Sequence, residues 1–139
     1  MTYKTNCNDI IVIGLGGHAR FVIATLLKSH ISIKGLISVE SEYDDKEKIL
    51  NMEIIGSLSD LSLLFDDGFK NIFLAIGDNK LREKRFNQYL KCGFLFPTLV
   101  HPESSIDSSA VIGIGNIIGP RAVIGANVNI VNNNIINSS

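Results

Sequence analysis

The sequence predicts an α/β protein: a small Rossmann-like domain on a parallel sheet, residues 1–101, then a short left-handed parallel β-helix, residues 102–139. Three observations predict it. Strand and helix signals alternate up to Val100, and a glycine-rich turn, Gly14-Leu-Gly-Gly-His18, follows the first apolar run at once. Beyond that point isoleucine recurs at every sixth residue. Alternating strands and helices give a parallel sheet with helices on both faces. A period of six belongs to neither helix nor ordinary strand and signals stacked coils.

The elements follow in order. Asp9-Ile-Ile-Val-Ile13 reads as a short buried strand, and Ala19 to Ser29 as a helix with Phe21, Ile23, Ala24, Leu26 and Leu27 as its apolar positions. Ile33 to Ile37 is a second strand, Ser41 to Lys48 a charged loop, and Met52 to Ile55 a brief third strand. Leu58 to Phe65 forms a short helix that Ser57 or Ser59 would cap. Asn71 to Ile76 is the clearest strand, and Asp78 to Lys91 the clearest helix, ended by Gly93. Phe94 to Val100 closes the set.

The tail obeys another rule. Of 13 basic and 14 acidic residues, only Arg121 and Asp107 lie beyond Glu103. His101-Pro102 is the natural hinge, because proline restricts its predecessor to extended conformations. Ile106, Ile112, Ile118, Ile124, Ile130 and Ile136 fall six apart without a break. Small residues mostly stand two places earlier (Ser104, Ala110, Asn116, Ala122, Val128, Asn134), where a crowded corner would need them. Gly113, Gly119 and Gly125 stand one place later, where glycine would tolerate the turn. Each hexad is then one flat side of a triangular prism. Three sides make a turn, isoleucine fills the axis, and coils stack about 4.8 Å apart. Six hexads make about two coils.

Composition excludes several functions. A chain of 139 residues, 45% hydrophobic and 19% charged, can bury a real core as one ordinary domain or two small ones. A net charge of −1 gives no general electrostatic case for nucleic acid or anionic membrane. No run approaches the roughly 20 apolar residues of a spanning helix. The first ten residues lack the apolar core of a signal peptide, so a cytoplasmic location is expected. Cys7 and Cys92 read as reduced thiols, and His18, His30 and His101 are too few for a His-rich centre, so no metal is expected.

Two loops carry the candidate chemistry. Gly14, Gly16 and Gly17 lie between strand and helix, where backbone N–H groups and the helix start favour an anion. His18 at the rim would donate to a phosphate or sugar oxygen, or merely cap the helix or fill a gap. Gly14-x-Gly16-x-x-Ala19 also satisfies the dinucleotide fingerprint. A ribose-binding acid should then end the second strand, yet Ser38 stands there and Glu40 comes two residues later. The second loop, Gly77-Asp78-Asn79, follows a strand end where ligands of open α/β sheets bind. Gly77 permits close approach, and Asp78 serves the ligand or caps the next helix. Arg82 reaches a phosphate or pairs with an acid such as Asp78. Lys80, Lys84 and Arg85 read as a solvated face.

Four features in this order resemble the hexapeptide-repeat sugar O-/N-acetyltransferases of the sialic acid O-acetyltransferase and bacillosamine N-acetyltransferase type. They are Ile13-Gly-Leu-Gly-Gly-His-Ala19, Leu74-Ala-Ile-Gly-Asp-Asn79 with Arg82, Leu99-Val-His-Pro102 and the hexad array. The resemblance spans essentially the whole chain. It implies that the first domain binds a nucleotide sugar or sialic-acid-related ligand through Gly14, Gly16, Gly17, His18, Ser38, Gly77, Asp78, Asn79 and Arg82. It also implies acetyl-CoA as co-substrate on the prism, and a homotrimer in which transfer occurs between neighbouring prisms. The family often carries Asp where Ser38 stands. Its base is a histidine on the prism, shortly after a stretch like Ile136-Asn-Ser-Ser139. No histidine lies in this array, and His101 matches the junction His-Pro as a structural residue. The catalytic histidine and the full CoA cradle are therefore expected beyond Ser139, and the chain is expected to bind sugar without transferring acetyl. Ile135 and Ile136 on an uncovered last coil, with Val111, Ile117 and Val123 on flat sides, predict a homo-oligomer or end-to-end association through the open coil. The alternative from another class is an NAD(P)-binding or ligand-sensing Rossmann module without transferase activity.

Overall fold

The computed structural model describes residues 8–137. The N-terminal segment with Cys7, and Ser138-Ser139, lie outside the described residues. The first run of β-branched residues makes β1 (Ile10–Ile13), buried along its whole length. Next come α1 (Gly17–Lys28), β2 (Ile33–Ser38), β3 (Lys48–Ile49) and β4 (Met52–Ser57). A single 3-10 turn over Leu58–Asp60 leads into α2 (Leu61–Asp66), then β5 (Ile72–Leu74) and α3 (Asn79–Lys91). Asp60 starts the turn by accepting from the Ser57 backbone N–H at 2.9 Å, while the Ser57 and Ser59 hydroxyls lie 3.0 Å apart.

The five strands form one sheet in the order β3-β4-β2-β1-β5. All neighbours are parallel except β3, which pairs antiparallel with β4. β3 is the end of the expected charged loop. Leu50 and Asn51 fold it back with φ of 48° and 64°, a reversal that suits a two-residue hairpin. Residues 94–100 do not extend this sheet as a strand. Leu95 makes one bridge to Asn71, and Leu99–Val100 turns away to become β6.

Alternation along β1 divides the core. Ile10 and Val12 point to the face covered by α1 through Val22, Ile23 and Leu26. Ile11 and Ile13 point to the opposite face, covered by Leu61 of α2 and by Phe86 and Tyr89 of α3. Helices therefore lie on both faces, as the alternating pattern requires.

The prism is built from β6 and six two-residue strands, β7 (Ser105–Ile106), β8 (Val111–Ile112), β9 (Ile117–Ile118), β10 (Val123–Ile124), β11 (Asn129–Ile130) and β12 (Ile135–Ile136). β7 pairs with β10, β8 with β11, and β12 with β9, which also pairs with β6; every ladder is parallel. Three hexads thus make one turn, and the isoleucines of the six-residue series fill the axis with Ala110 and Ala122. Buried Asn116 ties two coils at one corner. Its Oδ1 accepts from the Asn134 backbone N–H at 2.8 Å, and its Nδ2 donates to the Val131 carbonyl at 2.7 Å.

Two expectations about the prism need correction. The left-handed corner residues are Gly115, Arg121, Asn127 and Asn133, with φ of 60–68°, and not Gly113, Gly119 and Gly125. The corner falls three places after Ile112, Ile118, Ile124 and Ile130. Gly113 answers a packing need instead, because a Cβ there would lie 2.2 Å from Asn132 Oδ1. Nor is Ile117 free to meet a sister prism. With Leu99 it is fully buried against the α1 side of the sheet, where Ile135 also packs. Val111 and Val123, on the other two sides, remain 64% and 75% exposed. Among the described residues no helix is long and apolar enough to cross a membrane.

Candidate functional site

The path of the chain creates a crevice. From β1 it moves through α1 to β2 and β4 on one side, then returns through α2 to β5 on the other side of β1. At such a reversal the strand ends part, and ligands of open α/β sheets bind there. A cleft of about 390 Å³ opens at this point, lined by the β1–α1 turn, the end of β2 and the end of β5. That volume suits a small-molecule ligand.

Each glycine of the turn has its own reason. Gly14 has φ of 122°, and a Cβ on it would lie 2.3 Å from the Ala75 carbonyl oxygen. Its N–H donates to the Ile37 carbonyl, which locks the turn onto β2. The fold itself demands this glycine. Gly16 and Gly17 are different: a Cβ on either meets nothing within 4 Å, and the same holds for Gly77 across the cleft. These three leave open space for a ligand to approach the backbone. Gly16 is the N-cap of α1, with no side-chain cap and no acid in the first turn, so the positive helix end faces the cleft undisturbed.

His18 lines the same cleft. Burial, and secondarily the positive charge of Arg82, hold its imidazole below the ordinary histidine range, so it is neutral at pH 7. Its Nε2 is buried without a hydrogen-bond partner among the described residues, and its ring lies 5.6 Å from that of Phe21. The residue as a whole is half-buried, and that nitrogen is unpartnered beside the cleft. The helix-capping role considered for His18 has no support, since no side chain caps α1.

The remaining candidates divide into two groups. Ser38 and Gly77 line the cleft with the glycines and His18, whereas Asp78, Asn79 and Arg82 are not among its lining residues, and Asn79 and Arg82 line a separate groove beside Asn132 and Asn133. Asp78 caps α3, its carboxylate accepting from the Leu81 N–H at 2.8 Å. Arg82 is almost fully buried and turns inward, donating to the Ile76 carbonyl at 2.9 Å and to Asn79 Oδ1 at 2.8 Å. It braces the loop after β5 and, among the described residues, forms no close ion pair with Asp78, although that carboxylate acts on its charge. Leu15, Val39, Glu40, Ala75, Ile76 and Leu81 complete the lining. Glu40 was visible in the sequence as an acid out of register; the apolar residues carried no signal separate from the core.

One comparison decides the family. Residues 9–89 match the family described as the PglD N-terminal domain. The chain belongs to that family. Its PglD-type α/β part and prism together are similar to a mutant of perosamine N-acetyltransferase from Caulobacter crescentus, solved in complex with CoA and GDP-perosamine. The TM-score is 0.84 at 28% identity, over 92% of this chain and 59% of that one. The acetyltransferase domain of PglB from Neisseria gonorrhoeae FA1090, in complex with acetyl coenzyme A, shares the fold. Its TM-score is 0.67 at 21% identity, over 94% of this chain and 68% of that domain. An uncharacterized protein of Acanthamoeba polyphaga mimivirus is 30% identical over 135 residues, covering 91% of this chain and 24% of its own length. The chain therefore spans less than two thirds of the Caulobacter enzyme and about a quarter of the viral protein.

Proposed function

We propose that the cleft under Gly14–His18 binds a nucleotide-linked sugar, within a bacterial surface-sugar acetyltransferase that takes its acetyl group from acetyl-CoA. The observation that carries this reading is the turn itself. Gly16, Gly17 and Gly77 are glycines that the chain's own packing does not require, and they surround an uncapped helix start beside the unpartnered Nε2 of His18. A diphosphate matches those donors in charge and reach. The GDP-linked sugar in the Caulobacter complex supplies the ligand class. In the reaction, a sugar amine or hydroxyl attacks the thioester carbonyl, its proton passes to a base, and CoA leaves as the thiol. The residues described here serve binding and orientation. His18 belongs to the anion turn, and His101 is engaged, its Nδ1 accepting from the Glu103 N–H at 3.0 Å. The Val111 and Val123 sides of the prism are the surfaces we propose meet sister prisms in a homotrimer.

Titration calorimetry with UDP, a UDP-amino sugar, a GDP-amino sugar, CMP-sialic acid and NAD tests the reading. At least one nucleotide sugar is expected to bind, and NAD is not. NAD binding with no response to any nucleotide sugar would reverse the conclusion in favour of a dinucleotide-binding module. Incubation with acetyl-CoA and the bound sugar is expected to give no turnover. Turnover abolished by His18→Ala would make His18 the base and overturn its assignment to binding.

A further inference from the structure

We infer that Glu40 recognises the ribose hydroxyls of the nucleotide, taking over the task of an acid that this fold ordinarily carries at the end of its second strand. The inference rests on the nucleotide reading above. In α/β nucleotide sites the phosphates sit at the first helix start, and an acid near the end of the second strand accepts hydrogen bonds from the ribose. Here β2 ends at Ser38, whose hydroxyl donates to the Glu40 carbonyl at 2.7 Å. That bond spends the serine proton inside the chain and curls the backbone, so that residues 38–40 all line the cleft.

Glu40 is the only carboxylate among the lining residues, and it is exposed at the rim. Its charge fixes the direction of the ligand. A carboxylate repels phosphate and accepts from hydroxyl donors, whereas the start of α1 attracts phosphate. The diphosphate therefore lies at Gly16-Gly17-His18 and the ribose diol at Glu40. The spacing also explains how a sequence with serine at position 38 keeps a ribose-reading acid: the tight Ser38–Glu40 turn moves the carboxylate two residues along without removing it from the cleft.

The test compares UDP and GDP with their 2′,3′-dideoxy counterparts, titrated into the 139-residue chain and into Glu40→Ala. Loss of a hydrogen bond to a charged group predicts that the wild type binds the dideoxy forms about tenfold or more weakly. Glu40→Ala is expected to bring both forms to within about twofold of each other, and Glu40→Gln, which still accepts, to fall between. Thermal melting of both variants should match wild type, since the Ser38 bond uses only the Glu40 backbone. Equal discrimination by wild type and Glu40→Ala, or none in the wild type, overturns the inference while leaving the nucleotide reading intact. Failure of the wild type to bind any nucleotide overturns both.

Discussion

His18 shows how one residue joins stability to binding. Burial and the nearby Arg82 disfavour its charged form, so the folded protein resists protonation that the unfolded chain accepts near the ordinary value of about 6.5. The sign follows directly: the unfolded state holds more protons below that value, and stability falls as pH drops. It is intact above about pH 6.5 and declines at lower pH until the folded imidazole itself protonates. Melting temperatures taken from about pH 8 to about pH 5 should therefore show a decline that is shallower in His18→Gln. Parallel curves for the two proteins would mean that His18 does not carry the effect. At this scale the sequence was only partly legible. His18, Ser38 and the glycines could be placed because a strand, a turn and a helix start fix where backbone points. Arg82 could not, because whether a long side chain faces solvent or folds back to carbonyls depends on packing that no spacing encodes.

Among elements, the β1–α1 turn separates what folding demands from what a ligand demands. Gly14→Ala places a Cβ against the Ala75 carbonyl at a φ of 122°, and should destabilise by about 2 kcal/mol or more in urea unfolding. Gly16→Ala meets open space, so its stability should stay within about 1 kcal/mol of wild type. Its nucleotide affinity should nonetheless fall about tenfold, because the methyl group occupies the approach to the helix start. If Gly16→Ala binds nucleotide as wild type does, the phosphate does not lie where we place it. The long periodic elements were legible: α1, α3 and the hexad series each repeat one apolar pattern several times. β3 was not, since Leu50-Asn51 lacks the glycine that usually marks a two-residue hairpin. The prism corners were missed for a related reason. Arg121 occupies a left-handed position that arginine does not advertise, and the regular glycines one place after each isoleucine drew the eye to the wrong register.

For the whole molecule, the prism is seated on the sheet rather than hung from a linker. Leu99 and Ile117 belong to the same apolar cluster as Val12, Ile23 and Phe73. Ile117→Ala should therefore cost about 2–5 kcal/mol. It should also reduce hydrogen-exchange protection in both β1 and β11, whereas Val123→Ala on an open side should shift stability by about 0.5 kcal/mol or less. Loss of protection confined to the prism would show the two parts to be independent. Periodicity could not reveal this seating, because Val111, Ile117 and Val123 occupy equivalent places in their hexads. Which side is covered is decided by β6, which pairs with β9 and so sets the Ile117 side against the sheet.

The fixed register of the ladders bears on how the chain is assembled. Each rung pairs with residues 18 positions before it, as Asn134 does with Asn116, and β6 sets the first rung on the finished sheet. A ribosome adding about 5–20 residues per second delivers the partner for a given rung about 1–4 seconds after that rung. Each new coil thus meets a completed template as soon as it emerges and needs nothing still unsynthesised. The prism can be laid down in the order of translation, one coil upon the last.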